Sequence, residues 1–187
     1  MIIYIHGFSS SGFGSKALEF KEYFKDDLIH LSYPTIPALA INNLEQLITS
    51  YKNLGENVSL IGSSLGGFYS LYLACKYDLK ACLINPALRP LDTLHRYSNA
   101  NYVKNYFDGS KFEFTKNHIQ SLKDYEISTI KSPQKIISFI QKGDEVLDYK
   151  VSVDILKGSE IILEDGGNHS FVGINRYFEK ISNFFNN

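Results

Sequence analysis

The five residues Gly62-Ser63-Ser64-Leu65-Gly66 set a serine between two glycines, each two positions away. An apolar run, 58–61, leads into them, and Phe68-Tyr69-Ser70-Leu71-Tyr72-Leu73-Ala74 leads out. This pattern predicts strand, sharp turn and helix. A serine raised on such a turn needs small neighbours, because side chains there collide with the strand and helix being joined. The helix that follows aims its backbone N–H groups at the space before the serine oxygen, where negative charge develops during acyl transfer. The pattern is common by chance and draws its weight from the strand–turn–helix setting. A small-residue loop that merely packs a helix close to a sheet is the competing interpretation. Neither Ser63 nor Ser59 has both flanking glycines.

A serine hydroxyl is a weak nucleophile, so it needs a base, and the base needs an orienting partner. His169 follows the last predicted strand on Gly166-Gly167-Asn168, alone in this among the histidines. Asp144 follows the strand before it, through Gly143. In this scheme His169 takes the Ser64 proton and Asp144 holds the imidazole tautomer. The acid stays open at this point: Asp144 could cap a helix beginning near Val146, which would leave Asp148 or Glu145. His6-Gly7-Phe8, after the first strand, predicts a second oxyanion donor, the Phe8 N–H joining that of Leu65. His6 itself reads as a structural residue of its loop. His30 and His95 read as surface or loop residues, and His118 as a solvated helix position.

Strands are expected at 2–5, 28–32, 58–61, 81–84, 135–141 and 159–163, with helices at 15–25, 40–54, after the serine turn, 146–157 and 171–185. The helix at 40–54 repeats Ile41, Leu44, Leu47, Ile48 and Tyr51 on one face. Alternating strands and helices imply a doubly wound, mostly parallel six-stranded sheet with helices on both faces, in which ligands sit beyond the carboxyl ends of the strands. One domain spanning 1–187 is expected, interrupted at about 87–132 by a lid-like insertion. Its aromatic residues stand among charged ones, and Tyr102, Phe107 and Phe112 are candidate walls of a substrate pocket.

The chain has 19 Lys+Arg and 20 Asp+Glu, a formal net charge of -1, which gives nucleic acid or an anionic membrane no electrostatic reason to bind. No stretch is long and apolar enough for a membrane span. The start, Met1-Ile2-Ile3-Tyr4-Ile5, has no basic region of a signal peptide. Cys75 and Cys82 read as small buried hydrophobes, and a cytoplasmic location is expected. No metal-ligand spacing or phosphate-binding loop is present, so neither metal nor cofactor is expected. Oligomeric state is left open.

These residues together resemble the YqiA/YcfP-like esterases, a compact bacterial branch of the α/β-hydrolases. The resemblance covers nearly the whole chain. It rests on Tyr4-Ile5-His6-Gly7-Phe8 with Ser10, Ser11 and Lys16, on Gly62-Ser63-Ser64-Leu65-Gly66-Gly67, on Asn85-Pro86-Ala87 with Arg89-Pro90, on Gly143 to Tyr149, and on Glu164 through Asn168-His169 with Phe171. It implies a compact α/β-hydrolase fold lacking the first two strands of larger members. It also implies hydrolysis of carboxylic esters or acyl thioesters by Ser64, Asp144 and His169, with a small-molecule substrate. The loop Glu164-Asp165-Gly166-Gly167 is one residue longer than the resemblance leads one to expect. A non-catalytic binding protein of the same fold and a serine-dependent acyltransferase are the competing classes.

Overall fold

The structure, a computed structural model, describes residues 1–100 and 102–187. Strand β1 (Ile2–Ile5) buries all of its side chains. Helix α1 (Ser15–Phe24) leads to β2 (Leu28–His30), and α2 (Pro37–Asn53) to β3 (Ser59–Ser63). Helix α3 (Leu65–Tyr77) then leads to β4 (Lys80–Ile84). The insertion holds a short helix α4 (Pro90–Leu94), a hairpin of β5 (Val103–Lys104) and β6 (Lys111–Phe112), and α5 (Lys116–Ser121). The chain returns through β7 (Ile136–Gln141), α6 (Tyr149–Ile155), β8 (Glu160–Glu164) and α7 (Phe178–Asn186).

Six strands form one sheet in the order β2-β1-β3-β4-β7-β8, and every pairing is parallel. Side chains alternate across a strand. Ile3, Ile5, Leu60 and Leu83 therefore pack toward α2 and α3, while Ile2, Tyr4, Ile61 and Cys82 pack toward Phe20 and Phe24 of α1 and Phe178 and Ile181 of α7. With both faces covered the strands read as unbroken apolar runs. Each fully buried Ile or Leu contributes roughly 1.5–3 kcal/mol. From β1 the chain crosses to one edge, and from β3 it proceeds to the other. The carboxyl ends of β1 and β3 therefore flank the crevice where ligands collect in such sheets.

Several boundaries differ from the sequence expectation, each for a local reason. Helix α2 begins at Pro37 rather than 40, because proline fits the first helical position. Helix α6 begins at Tyr149, not 146, because the Asp148 carboxylate caps it by accepting from Lys150 N at 3.0 Å. The closing helix does not start at 171. Phe171 and Gly173 have φ of 57° and 75°, which no α-helix admits, and a 3₁₀ turn (Ile174–Tyr177) precedes α7. Strand β2 ends at His30, short of 32.

Candidate functional site

Ser64 joins β3 to α3 with φ 55° and ψ −121°, a conformation that costs a residue with a side chain roughly 1–3 kcal/mol. Its backbone is pinned on both sides of the turn. Ser64 N donates to Ile84 O at 3.0 Å, and Ser64 O accepts from Gly67 N at 2.9 Å and Ala87 N at 3.0 Å. The two glycines of the pattern are required by contact. A Cβ on Gly62 would stand 2.2 Å from Ser70 Oγ, and one on Gly66 2.0 Å from Ile5 O.

The Ser64 hydroxyl lies 3.0 Å from His169 Nε2, and His169 Nδ1 lies 2.8 Å from Asp144 Oδ2. Asp144 is 3% exposed and the imidazole 23%, so the chain of hydrogen bonds runs from the interior to the opening. The other Asp144 oxygen accepts from Val146 N at 2.8 Å and Leu147 N at 2.9 Å. One carboxylate thus holds both the turn and the imidazole, two roles the sequence leaves as alternatives. Glu145 accepts from the His169 backbone N–H at 3.0 Å, and Asp148 is taken up by its cap.

The loop that carries His169 is held by two residues whose part the sequence does not announce. Asn85 donates from Nδ2 to Asn168 O at 2.9 Å and to His169 O at 3.1 Å, while its Oδ1 accepts from Gln141 N at 2.9 Å. Gln141 accepts at Oε1 from Asn168 N at 3.1 Å and Val172 N at 3.0 Å, and donates from Nε2 to Glu164 at 2.8 Å. The available signal was a polar residue ending each of two apolar strands, at Ile84-Asn85 and Ile140-Gln141. The additional residue of the loop, Asp165, turns outward to Lys142 at 2.7 Å, and His169 still reaches Ser64.

Leu65 opens α3, so its N–H has no acceptor within the helix. Across the crevice the backbone at Gly7 passes close by: a Cβ there would lie 3.2 Å from Ser64 Cβ and 3.7 Å from Ser64 Oγ. Phe8 and Leu65 both line the cleft in front of Ser64. His6 is buried, donates from Nδ1 to Gly7 O at 2.8 Å and stacks on Tyr33 at 4.2 Å. Burial lowers its pKa, so it braces the loop as a neutral ring. His118 is half-buried and closes a capping box with Thr115 at the start of α5, rather than standing as a solvated helix residue.

The cleft measures about 860 Å³ and is bounded by Gly7, Ser64, Leu65 and His169, with Leu94, Tyr97, Tyr106 and Phe107 on the insertion side. Of the three expected aromatic walls, Phe107 borders it. Tyr102 and Phe112 do not. Val103 is buried, while Tyr102, just before β5, is 66% exposed. Phe112 packs edge-on against Phe8 at 5.7 Å, behind the wall. The hairpin is stitched to the loop after β1 by Tyr106 N donating to Ser9 O at 2.8 Å and Asn105 Nδ2 to Ser10 O at 3.2 Å. Cys75 and Cys82 are free thiols, the latter buried with its pKa pushed up by burial. Among the described residues no group of three or more His, Cys, Asp or Glu is placed to hold a metal ion, and no helix is long and apolar enough to cross a membrane.

The model of the family described as "Uncharacterised protein family (UPF0227)" matches residues 1–186. The chain belongs to the UPF0227 family. A UPF0227 protein of Serratia proteamaculans is 26% identical over 190 residues, 98% of each chain. The UPF0227 protein PM0825 of Pasteurella multocida is 26% identical over 197 residues, again 98% of each. Among solved structures, ferulic-acid-bound Est1E from Butyrivibrio proteoclasticus superposes with a TM-score of 0.73 at 16% identity, covering 98% of this chain and 86% of that one. Mouse alpha/beta hydrolase domain-containing protein 10 gives 0.70 at 17%, with 99% and 89% covered. A monoacylglycerol lipase from Paleococcus ferrophilus gives 0.70 at 14%, with 98% and 93% covered. The UPF0227 chain therefore has the α/β-hydrolase fold that its motifs imply.

Proposed function

We propose that this protein is a serine hydrolase that cleaves carboxylic esters or acyl thioesters through an acyl-enzyme on Ser64. The observation that carries the proposal is the continuous hydrogen-bonded chain Ser64 Oγ–His169 Nε2–Asp144, opening on a cleft. Asp144 on Nδ1 selects the tautomer whose Nε2 can accept a proton. Ser64 Oγ attacks the acyl carbonyl while His169 Nε2 takes its proton. The tetrahedral oxyanion forms against the N–H groups of Leu65 and Phe8, oriented dipoles whose attraction for it grows as its charge develops. Collapse of the intermediate breaks the bond to the alcohol or thiol, which leaves with the proton from His169. Water then attacks the acyl-enzyme by the same route and Ser64 is restored. The monoacylglycerol lipase among the structural neighbours supports an acyl ester as the substrate type. Fluorophosphonate labelling tests the nucleophile. Wild type should label and show a burst with p-nitrophenyl acetate, and Ser64→Ala should do neither. Labelling that persisted in the variant would rule Ser64 out.

A further inference from the structure

Lys16 has no place in the chemistry above, yet it lines the same cleft. It sits in the first turn of α1 and donates to Ser63 Oγ at 2.9 Å. Ser63 immediately precedes Ser64 and also lines the cleft. An ammonium has three N–H donors, and Ser63 takes one. Among the described residues Lys16 belongs to none of the ion pairs. Glu19 and Asp144 act on it as more distant charges, and Asp144 is already engaged by His169. Burial lowers Lys16 to about 8, which still leaves it mostly charged at neutral pH. Lys16 is half-buried, and a partly desolvated cation without a bonded anion is costly, a cost that an anion entering the cleft would offset.

We infer that Lys16 is a substrate-recognition residue, and that the natural ester carries a carboxylate or phosphate within a few bonds of the scissile carbonyl. This rests on the hydrolase proposal for Ser64 and narrows it to anionic esters. Lys16 is bonded to Ser63, the residue before Ser64, and all three line one cleft, so an anion at Lys16 and a carbonyl at Ser64 belong to one molecule lying in that cleft. The anionic group could sit on the acyl or the alcohol side, and both are tested by matched pairs. Mono-p-nitrophenyl glutarate is compared with p-nitrophenyl pentanoate, and O-butyrylglycolate with O-butyrylglycolamide, each normalised to its alkaline hydrolysis rate. Wild type should favour the anionic member at least tenfold in kcat/KM in one pair. Lys16→Met should bring that ratio down to one or below, and Lys16→Arg should retain part of it. Apart from turnover, millimolar glutarate should raise the Tm of wild type more than that of Lys16→Met. Neutral esters cleaved with no anionic preference in either pair, or a preference that survives Lys16→Met, would overturn the inference while leaving the hydrolase proposal standing. Absence of Ser64 labelling together with a Lys16-dependent glutarate shift would overturn the hydrolase proposal and the ester with it, leaving Lys16 only as an anion-binding residue of the cleft.

Discussion

Asp144 answers to two sets of donors at once, the imidazole through Oδ2 and the amides of Val146 and Leu147 through Oδ1. Substituting one oxygen separates these roles. In Asp144→Asn an amide keeps a carbonyl oxygen for the turn but can present N–H to His169 Nδ1, so the ring takes the wrong tautomer. We expect kcat to fall about 10⁴-fold, the scale known for that change in serine proteases, with little loss of Tm. Asp148→Ala should behave oppositely. It removes the cap of α6, costing about 1 kcal/mol or roughly 2–4 °C in Tm at this chain length, while kcat stays close to wild type. Steady-state kinetics and thermal melts on the two variants decide the matter, and the reverse ranking would make Asp148 the orienting acid. The sequence favours Asp144 but leaves Asp148 as an alternative, because the choice depends on where α6 starts. Asp148 settles that start by capping it, and Asp144 is left free to face His169.

Strand ends were legible because each apolar run stops at a polar or glycine-rich cluster, and those clusters share one edge of a parallel sheet. What holds the His169 loop was not. Asn85 reaches it across 83 residues and Gln141 across 27, distances at which periodicity says nothing. The same loop has an ionic anchor. Glu164, at the end of β8, accepts from Gln141 at 2.8 Å and from Arg176 Nη2 at 2.6 Å, and also takes the Tyr177 hydroxyl. Arg176 in turn donates to Gly173 O at 2.9 Å. Burial alone would push the Glu164 carboxyl up, but the hydrogen bonds from Arg176, Tyr177 and Gln141 outweigh it and bring the pKa to about 2. A folded value below the ordinary 4.5 means stability that is fully present above 4.5 and lost as pH falls toward 2. Melting temperature measured across that window should fall steeply in wild type. Glu164→Gln should start lower at neutral pH and fall less. Parallel curves for the two proteins would show that the anchor is not what acid releases.

At the scale of the whole molecule the sheet and its coverings follow from pattern, whereas the insertion does not. An excess of aromatic residues at 97–125 is plain in the sequence, but which of them turn toward the cleft is fixed by a hairpin whose strands are two residues long. So short a pairing leaves no alternation to read. It sends Tyr102 out and Phe112 behind the wall and presents Tyr106 and Phe107 to the cleft, while Tyr97 borders the cleft from the turn after α4. Exposed apolar side chains gather at this opening. Phe13, Tyr106, Phe107 and Val172 all border the cleft and are all more than half exposed, Phe107 at 54%. Such a rim can continue the contact of an acyl chain beyond the enclosed part of the site. Each methylene fully buried contributes about 0.8 kcal/mol, roughly fourfold in kcat/KM per carbon. A p-nitrophenyl series from acetate to decanoate should therefore rise by up to that factor per carbon until the wall ends. Phe107→Ala and Tyr97→Ala should flatten the rise, while Tyr102→Ala, on the outer side of the hairpin, should leave the slope as it is. Equal slopes in wild type and Phe107→Ala would mean that the acyl chain lies along another wall and that the insertion serves only to cover the sheet.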